Sequence, residues 1–540
     1  MRRKMIALGG SLAAASLLLT ACGGGGGGGE QTASDLEGRY EPDASTPAWQ
    51  LDTKEERTHI TWYVNADWWN TEWGQDLVTA KIAEDLNIDV TFITGDDTRL
   101  NTMFAGGDVA DIVTIFDMNS QVAMRAPTWA RSLNELAETY DPYWFEVAAP
   151  ETMDWFKMED GQTYGYPNYS NTYESYEEGL IPGTTAFLIR KDVYDALGQP
   201  SFATPEEFNA ALETISEQFP DLVPFGFNPV GSGVGSLGDI FQNFLGVPLQ
   251  TDDGAFYNRN LDPAYLTWVE ALREAHSNGN ISDDSFADDQ TTWEEKLQTG
   301  RYATILAGGL PQMGSFLQSW YTTHPESEYI AIDGPQNPNG HAPTLAQAGI
   351  SGWMINYISQ TAVDPAKCMQ LFTYLQSEYG NILTTFGIEG ETFQYDAEGK
   401  IELLPEVQAM REDRPQQFQR EYRLGEFILF GNDKWMSLAS DKMRIPALIQ
   451  PQNWGTPLLV PQFVLENTNP PQGTQAARNL SGIDTEWATT LVSMIRAGSP
   501  EQMNARLESY EAFLDANGWQ EIVDIRTENM ERNRETLGLS

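Results

Sequence analysis

The stretch HITWYVNADWWNTEWGQDLVTAKIAEDLNIDVTFITGDDTRLNTMFAGGDVADIVTIF, residues 59 to 116, decides the fold. Three short apolar runs stand in it: His59 to Val64, Ile88 to Ile93 and Asp111 to Phe116. Each is rich in β-branched and aromatic residues, as strands are. Between the first two, Trp73 to Leu86 has the apolar period of an amphipathic helix; between the last two, Asp97 to Ala105 does the same before a Gly106-Gly107 stop. The order β-α-β-α-β predicts an α/β fold with a mostly parallel sheet covered by helices. Ligands of such sheets bind beyond the carboxyl ends of the strands, which points to Asn65 to Asn70 and to Asp117 to Gln121.

Outward from this stretch the texture changes. Thr163 to Tyr169 and Gly183 to Ile189 read as extended crossings. From Arg190 on, helices dominate: Lys191 to Leu197, then Thr204 to Gln218 with Thr204 at the N-cap, Pro205 at N1 and Glu207 at N3, then Asp239 to Leu245, Pro263 to Ser277 and Thr292 to Gln298. Tyr302 to Leu306 is a further strand. With 540 residues the chain is too long for one ordinary domain, so two lobes or more are expected.

At the start, Arg2, Arg3 and Lys4 precede an apolar stretch from Met5 to Leu19, and Leu19-Thr20-Ala21-Cys22 follows. This is the pattern of a secretory signal, residues 1 to 21, and its end is similar residue for residue to a bacterial lipobox, in which the Cys is lipidated. Glycines from Gly23 to Gly29 and a polar stretch to about Glu56 read as a flexible tether, residues 22 to 56. No later run of about 18 apolar residues occurs, so membrane attachment would rest on acyl chains. The expected location is extracytoplasmic and lipid-anchored to the cell membrane.

The formal charge of -46 makes nucleic acid and anionic lipid poor partners and disfavours anionic ligands, so no nucleic acid is expected as a partner. Of the two cysteines, Cys368 is left without a partner by lipidation of Cys22, and it lies in the helical pattern Pro365 to Ser377 as a buried thiol. No zinc motif and no EF-hand string occurs, and the acids Asp283, Asp284, Asp288 and Asp289 read as a solvated loop, so neither metal nor cofactor is expected. Gly233, Gly235 and Gly238 satisfy GxGxxG, but without a good strand directly ahead they read as a turn opening a helix. Paired acids are too many to single out a glycosidase pair, and no GxSxG is present.

Three segments carry a family resemblance. Asn87 to Ile115, with LN-x-MFAGGD-x-ADIV, Ile189 to Leu212 (IRKDVYDALGQPSFATPEEFNAAL) and Phe386 to Ile401 (FGIEGETFQYDAEGKI) resemble extracellular solute-binding proteins of carbohydrate ABC transporters. The branch is the large lipoprotein type that includes alginate-oligosaccharide binders. The resemblance implies a periplasmic-binding-protein-like fold of two α/β lobes joined by several crossings, with a ligand cleft that closes by hinge bending. It divides the body into lobe I (57 to 182), lobe II (183 to 328), a return to lobe I (329 to 387, with a strand at Met354 to Ile358) and completion of lobe II (388 to 540). Several members of the branch carry a calcium loop after the helix matching Thr204 to Gln218. Here Phe219-Pro220-Asp221 runs straight to Pro224-Phe225-Gly226-Phe227, so that site is not carried over.

A sugar ring has apolar C–H faces and a rim of hydroxyls, so its sites pair flat aromatic rings with carboxylates and amides. At the expected cleft rims the chain offers Asn65, Trp68, Trp69, Asp117, Asn119, Tyr169, Gln312, Trp353, Glu389 and Trp454. Each aromatic has a plain alternative as a core side chain, but adjacent Trp68 and Trp69 cannot both point into one core face. The resemblance thus implies a monomeric, non-catalytic carrier that takes a carbohydrate, an oligosaccharide by the size of the branch, and hands it to permease subunits. A surface-anchored glycosidase or lyase, or a carrier of peptides or other polar solutes, remains the alternative.

Overall fold

Alternation at Ile60, Trp62 and Val64, all fully buried, sets one face of the first strand against a helical layer. A computed structural model of the chain describes residues 36 to 539, apart from 117, 119, 232 and 348. Its strands in chain order are β1 (Thr58–Val64), β2 (Ile88–Thr94), β3 (Ile112–Ile115), β4 (Gly165–Pro167), β5 (Thr185–Arg190) and β6 (Val223–Phe227). Then follow β7 (Tyr302–Gly308), β8 (Tyr329–Ile332), β9 (Ile355–Ile358), β10 (Phe393–Tyr395) and β11 (Ile401–Leu403).

Lobe I is a sheet ordered β2-β1-β3-β9-β4. β1 pairs in parallel with β2 and β3, as the β-α-β-α-β order predicts; β9 adds on antiparallel to β3, with Ile112 opposite Ile358. The helix expected from Trp73 begins instead at Leu77, because the Asp76 carboxylate caps it by accepting from the Thr79 N–H at 2.9 Å. Lobe II is a second sheet, β6-β7-β5-β8, whose core gathers Phe187, Phe202, Phe208 and Phe225. The capping box at Thr204 and Glu207 forms as the sequence predicts. Cys368 is fully buried and free.

Several expectations are corrected. Tyr329 does not begin the return to lobe I: β8 pairs with β5, Arg190 opposite Tyr329, and the return starts only near Met354. Residues 388 to about 443 do not complete lobe II, since Phe393, Ile401, Phe418 and Phe427 lie in the lobe I core. A buried polar relay fixes them there: the Trp62 indole N–H donates to Thr114 Oγ1 (2.8 Å), Thr114 donates to Asn356 Oδ1 (2.6 Å), and the Asn356 amide donates to the Leu429 carbonyl (2.7 Å). Lobe II is completed later, by helix Pro446–Gly455 and the helices Gln475–Ile495, Pro500–Ala516 and Trp519–Thr536. The glycine loop is a turn opening a helix, as expected: β6 ends at Phe227, residues 228 to 232 separate it from Gly233, Gly238 caps helix Asp239–Phe244, and at Gly235 (φ 56°) a Cβ would meet the Asn228 carbonyl oxygen at 2.1 Å. The acids from Asp283 to Asp289, however, are not a merely solvated loop. Asp288 pairs with Lys296 at 2.5 Å, Asp289 caps helix Gln290–Gln298, and Asp283 pairs with Arg496 at 2.9 Å. Among the described residues no cluster of His, Cys, Asp or Glu is arranged to hold a metal ion, and no helix is long and apolar enough to cross a membrane.

The tether expected over 22 to 56 is corrected from residue 36 onward; the signal segment and Cys22 lie outside the described residues. Leu36 is buried in lobe I, and a charged cluster clasps the segment to helix Pro365–Gln376. Arg39 pairs with Asp52 (2.6 Å) and Asp364 (3.2 Å), Lys54 with Asp364 (2.8 Å) and Lys367 with Asp52 (3.0 Å). Burial works against ionisation of Asp52, but hydrogen bonds from Arg39, Gln370 and Lys367 overcome it and hold its carboxyl far below the usual range. Replacing Asp52 by Asn is expected to strand Lys367, 2 % exposed, and to lower stability by about 3 to 5 kcal/mol in urea unfolding. A carboxyl depressed in the folded state stabilises above its unfolded pKa and loses that contribution as the pH falls through the folded value. Below about pH 4 the melting temperature of the unaltered protein should therefore fall more steeply than that of the variant.

Candidate ligand cleft

The parallel strands β1 and β3 both end at one edge of lobe I, where β4 leaves its sheet and β9 enters. Four aromatic rings line up along this edge. Trp68 stands 6.3 Å from Phe116 between ring centroids, Phe116 5.9 Å from Trp353, and Trp353 6.5 Å from Tyr169. Trp68 is 56 % exposed, Trp353 39 % and Phe116 38 %, so three large apolar rings in a row stand open to solvent.

Local structure explains the positions. After β1 the chain turns sharply, Ala66 N–H bonding to the Val64 carbonyl and Trp69 N–H to that of Ala66. The turn sends Trp69 inward, where it is 6 % exposed between Phe92 and Phe427, and leaves Trp68 outside. Asn65 accepts from the Tyr63 hydroxyl (3.0 Å) and donates to Asp97 (2.7 Å). At the other end of the row, Asn168 is fully buried; its Oδ1 accepts from the Trp353 and Met354 N–H groups (3.2 and 2.8 Å) and its amide donates to the Ile428 carbonyl (2.8 Å). Gly352 sits at φ 59° with the Asn168 carbonyl oxygen 1.9 Å from where a Cβ would be, so only glycine lets Trp353 approach. Tyr169 itself takes a left-handed backbone, φ 46°, and its N–H bonds to the Gly431 carbonyl.

In lobe II the carboxyl end of β7 lies beside the crossing, with Leu310 N–H bonded to the Thr184 carbonyl. Gln312 is exposed there, in the first turn of helix Leu310–Thr323. Two carboxyls at the junction are held above the usual range by burial. Asp433 is opposed in this by its bond from Asn171, and Glu466 by bonds from the Ser351 hydroxyl and the Ser351 and Ile350 N–H groups. Glu466 is carried by lobe II, whose Asn533 bonds its carbonyl, so its carboxylate ties lobe II to the segment ahead of β9.

Of the residues expected at the site, Trp68, Trp353 and Tyr169 come together in the row, Asn65 stands at its base and Gln312 on the opposite lobe. Trp69 is core, because the turn after β1 splits the pair. Trp454 stacks on Phe244 of the lobe II core (5.8 Å) with its indole N–H on Asp333 (3.1 Å). Glu389 is exposed in the turn ahead of β10, beside Tyr395 rather than any ring of the row. Asp117 and Asn119 lie outside the described residues. Sequence reasoning misses Phe116. Taking Asp111 to Phe116 as one strand puts it in the core, whereas β3 stops at Ile115 and Phe116 is the first loop residue. Asp433 and Glu466 carry no sequence signal among so many acids.

No family model and no curated protein matches the chain. Solved structures do. An extracellular solute-binding protein from Bifidobacterium longum subsp. infantis aligns with TM-score 0.68 and 16 % identity over 89 % of this chain and 99 % of that one. The alginate-binding protein AlgQ2, solved without calcium ion, aligns with TM-score 0.63 and 16 % identity over the same shares, 89 % and 99 %. The Streptococcus pneumoniae ABC-transporter substrate-binding protein FusA in complex with kestose aligns with TM-score 0.59 and 13 % identity over 88 % and 100 %. The chain therefore has the two-lobe fold of these proteins.

The different burial of the paired tryptophans has a direct test in thermal and urea unfolding. Trp69→Ala is expected to cost about 3 to 5 kcal/mol by emptying a core site, and Trp68→Ala less than about 1 kcal/mol. Equal losses would place Trp68 in the core.

Proposed function

We propose that this chain is the solute-binding component of an ABC importer, that it takes a carbohydrate of several units between its lobes, and that it delivers it to the membrane permease while tethered through a lipid on Cys22. The single observation that carries the reading is the row Trp68, Phe116, Trp353 and Tyr169 at the carboxyl edge of the lobe I sheet, with the first three rings exposed and Tyr169 half-buried at its end. Exposed flat rings beside amides match the two chemistries of a sugar, C–H faces for stacking and hydroxyls for hydrogen bonds. In support, proteins of the same fold are described as binding alginate and as complexed with kestose. Within this reading Trp68, Phe116, Trp353 and Tyr169 stack on the ligand, and Asn65 and Gln312 hydrogen-bond it from opposite lobes. Ligand contacts to both lobes favour the closed form, which is what the permease would distinguish from the open one. The protein works without catalysis, as a monomer.

Two experiments test this. The purified body is incubated with neutral and acidic oligosaccharides and with peptides, recording melting temperature and reducing ends. A binding sugar at a hundredfold excess over its Kd should add about 2.7 kcal/mol of stability without turnover. New reducing ends would make the protein an enzyme, and a response to peptides alone would move the ligand class. Replacing Cys22 by Ser should release the protein from membranes while sugar binding stays intact; loss of binding as well would contradict the separation of anchor and body.

A further inference from the structure

The two junction carboxyls, Glu466 and Asp433, are held in different ways. Glu466 has both oxygens taken by protein: Oε1 accepts from the Ile350 N–H (3.2 Å), and Oε2 from the Ser351 N–H (3.0 Å) and the Ser351 hydroxyl. Asp433 has one oxygen in use. Its Oδ2 accepts from the side-chain amide of the fully buried Asn171 (3.0 Å), while Oδ1 has no partner among the described residues and is not sealed from solvent, the residue being half-buried. No cation compensates it. The adjacent Lys434 holds its ammonium 4.9 Å from the centre of the Trp435 ring, and burial drives the Asp433 carboxyl up against the Asn171 bond alone.

A half-buried carboxylate without a cation and with an oxygen unbonded costs the fold stability. The buried acids of the clasp are arranged otherwise, Asp52 against Arg39 and Lys367, and Asp364 against Arg39 and Lys54. The place of Asp433 gives the reason, for it stands at the end of the aromatic row. The Tyr169 N–H bonds to the Gly431 carbonyl (3.0 Å), and a Cβ on Gly431 would lie 2.6 Å from Tyr169 Cζ, so the tyrosine ring rests on the backbone two residues ahead of Asp433. The Tyr169 phenol is pushed up by burial and next by the Asp433 charge. Asn171, which holds Asp433, bonds through its own N–H to the Gly349 carbonyl (3.0 Å), in the segment that leads to Trp353. Tyr169 and Trp353 in turn lie within 22° of parallel. A sugar ring lying on these faces turns its rim of hydroxyls outward, and a hydroxyl supplies the donor that Oδ1 lacks.

We propose that Asp433 is a specificity-determining residue of the cleft, its Oδ1 accepting a hydroxyl of the sugar unit at the Tyr169 end of the row, and that it thereby selects units presenting a hydroxyl at that position. Glu466, with both oxygens occupied, pins the junction and takes no part in selection. The inference rests on the carbohydrate reading above and deepens it by naming the group that reads one hydroxyl.

The test uses the full chain with Cys22→Ser in calorimetric titrations against gluco-, manno-, fructo- and chito-oligosaccharides. Asp433→Asn keeps the side chain's shape and an acceptor for Asn171. It should weaken the tightest-binding sugar of the panel about tenfold or more. Without sugar its melting temperature should stay equal or rise, because an uncompensated charge has gone. Monodeoxy forms of the same sugar then locate the hydroxyl on the chain that keeps Asp433, a readout that does not depend on the variant folding. One of them should lose about as much affinity as the variant loses for the parent sugar, and should lose nothing further on the variant. If Asp433→Asn lowers the melting temperature and leaves affinity unchanged, or if the losses from the variant and from every deoxy form add, Asp433 makes no bond to the sugar and the carbohydrate reading stands. If no sugar of the panel binds, that reading falls and the role of Asp433 with it.

Discussion

The side-chain amide of Asn168 holds three separate stretches of chain in one place. Its oxygen takes the N–H groups of Trp353 and Met354 as β9 begins, and its nitrogen donates to Ile428. Because the group is fully buried, its polar atoms need partners, and it finds them in these three backbone groups. The position of Trp353, and through it the line from Trp68 to Tyr169, follows from this one amide. The relay Trp62-Thr114-Asn356-Leu429 extends the same constraint through the centre of the sheet.

Apolar packing divides the molecule differently from the order of the chain. Lobe I takes its core from the amino-terminal clasp, from β1 to β4 and from the segment up to about residue 443. Lobe II takes its own from β5 to β8 and the carboxyl-terminal helices. The junction between them joins polar pairs, Glu466 on Ser351 and Ile350, Gln121 on Gln472 and Asn467 on Met118, with the buried Phe463 ring packed on Tyr173 and Tyr176 at 4.7 and 5.6 Å. Separately packed cores suit lobes that rotate about their crossings. The clasp of Arg39, Asp52, Lys54, Asp364 and Lys367 lies wholly within lobe I, so lobe movement leaves it intact.

The elements whose stabilisation is local were legible in the sequence. Periodicity placed β1, β2, the capped helix from Pro205 and helix Pro263–Ser277 within a residue or two, because alternation and caps act over a few positions. The adjacency of Trp68 and Trp69 likewise showed that one of them must leave the core. What stayed hidden depends on contacts distant along the chain. Residues 36 to 56 are as polar as a solvated linker, and only Asp364 and Lys367 turn them into part of lobe I. Phe116 looks like the end of a strand until β3 is seen to stop one residue earlier. Trp454 looks like a rim residue until Phe244 stacks on it.

By itself, then, the sequence determined the class of fold and the kind of chemistry at the strand ends, since these rest on patterns of period two and 3.6 and on residue type, while its length called for more than one lobe. Only the tertiary structure decided which lobe owns residues 388 to 443, which of two neighbouring tryptophans stays exposed, and that Phe116 joins Trp68 to Trp353. The physical reason is that a side chain's burial is set by what packs against it from elsewhere in the chain, and in this fold the partners at the cleft come from crossings far apart in sequence.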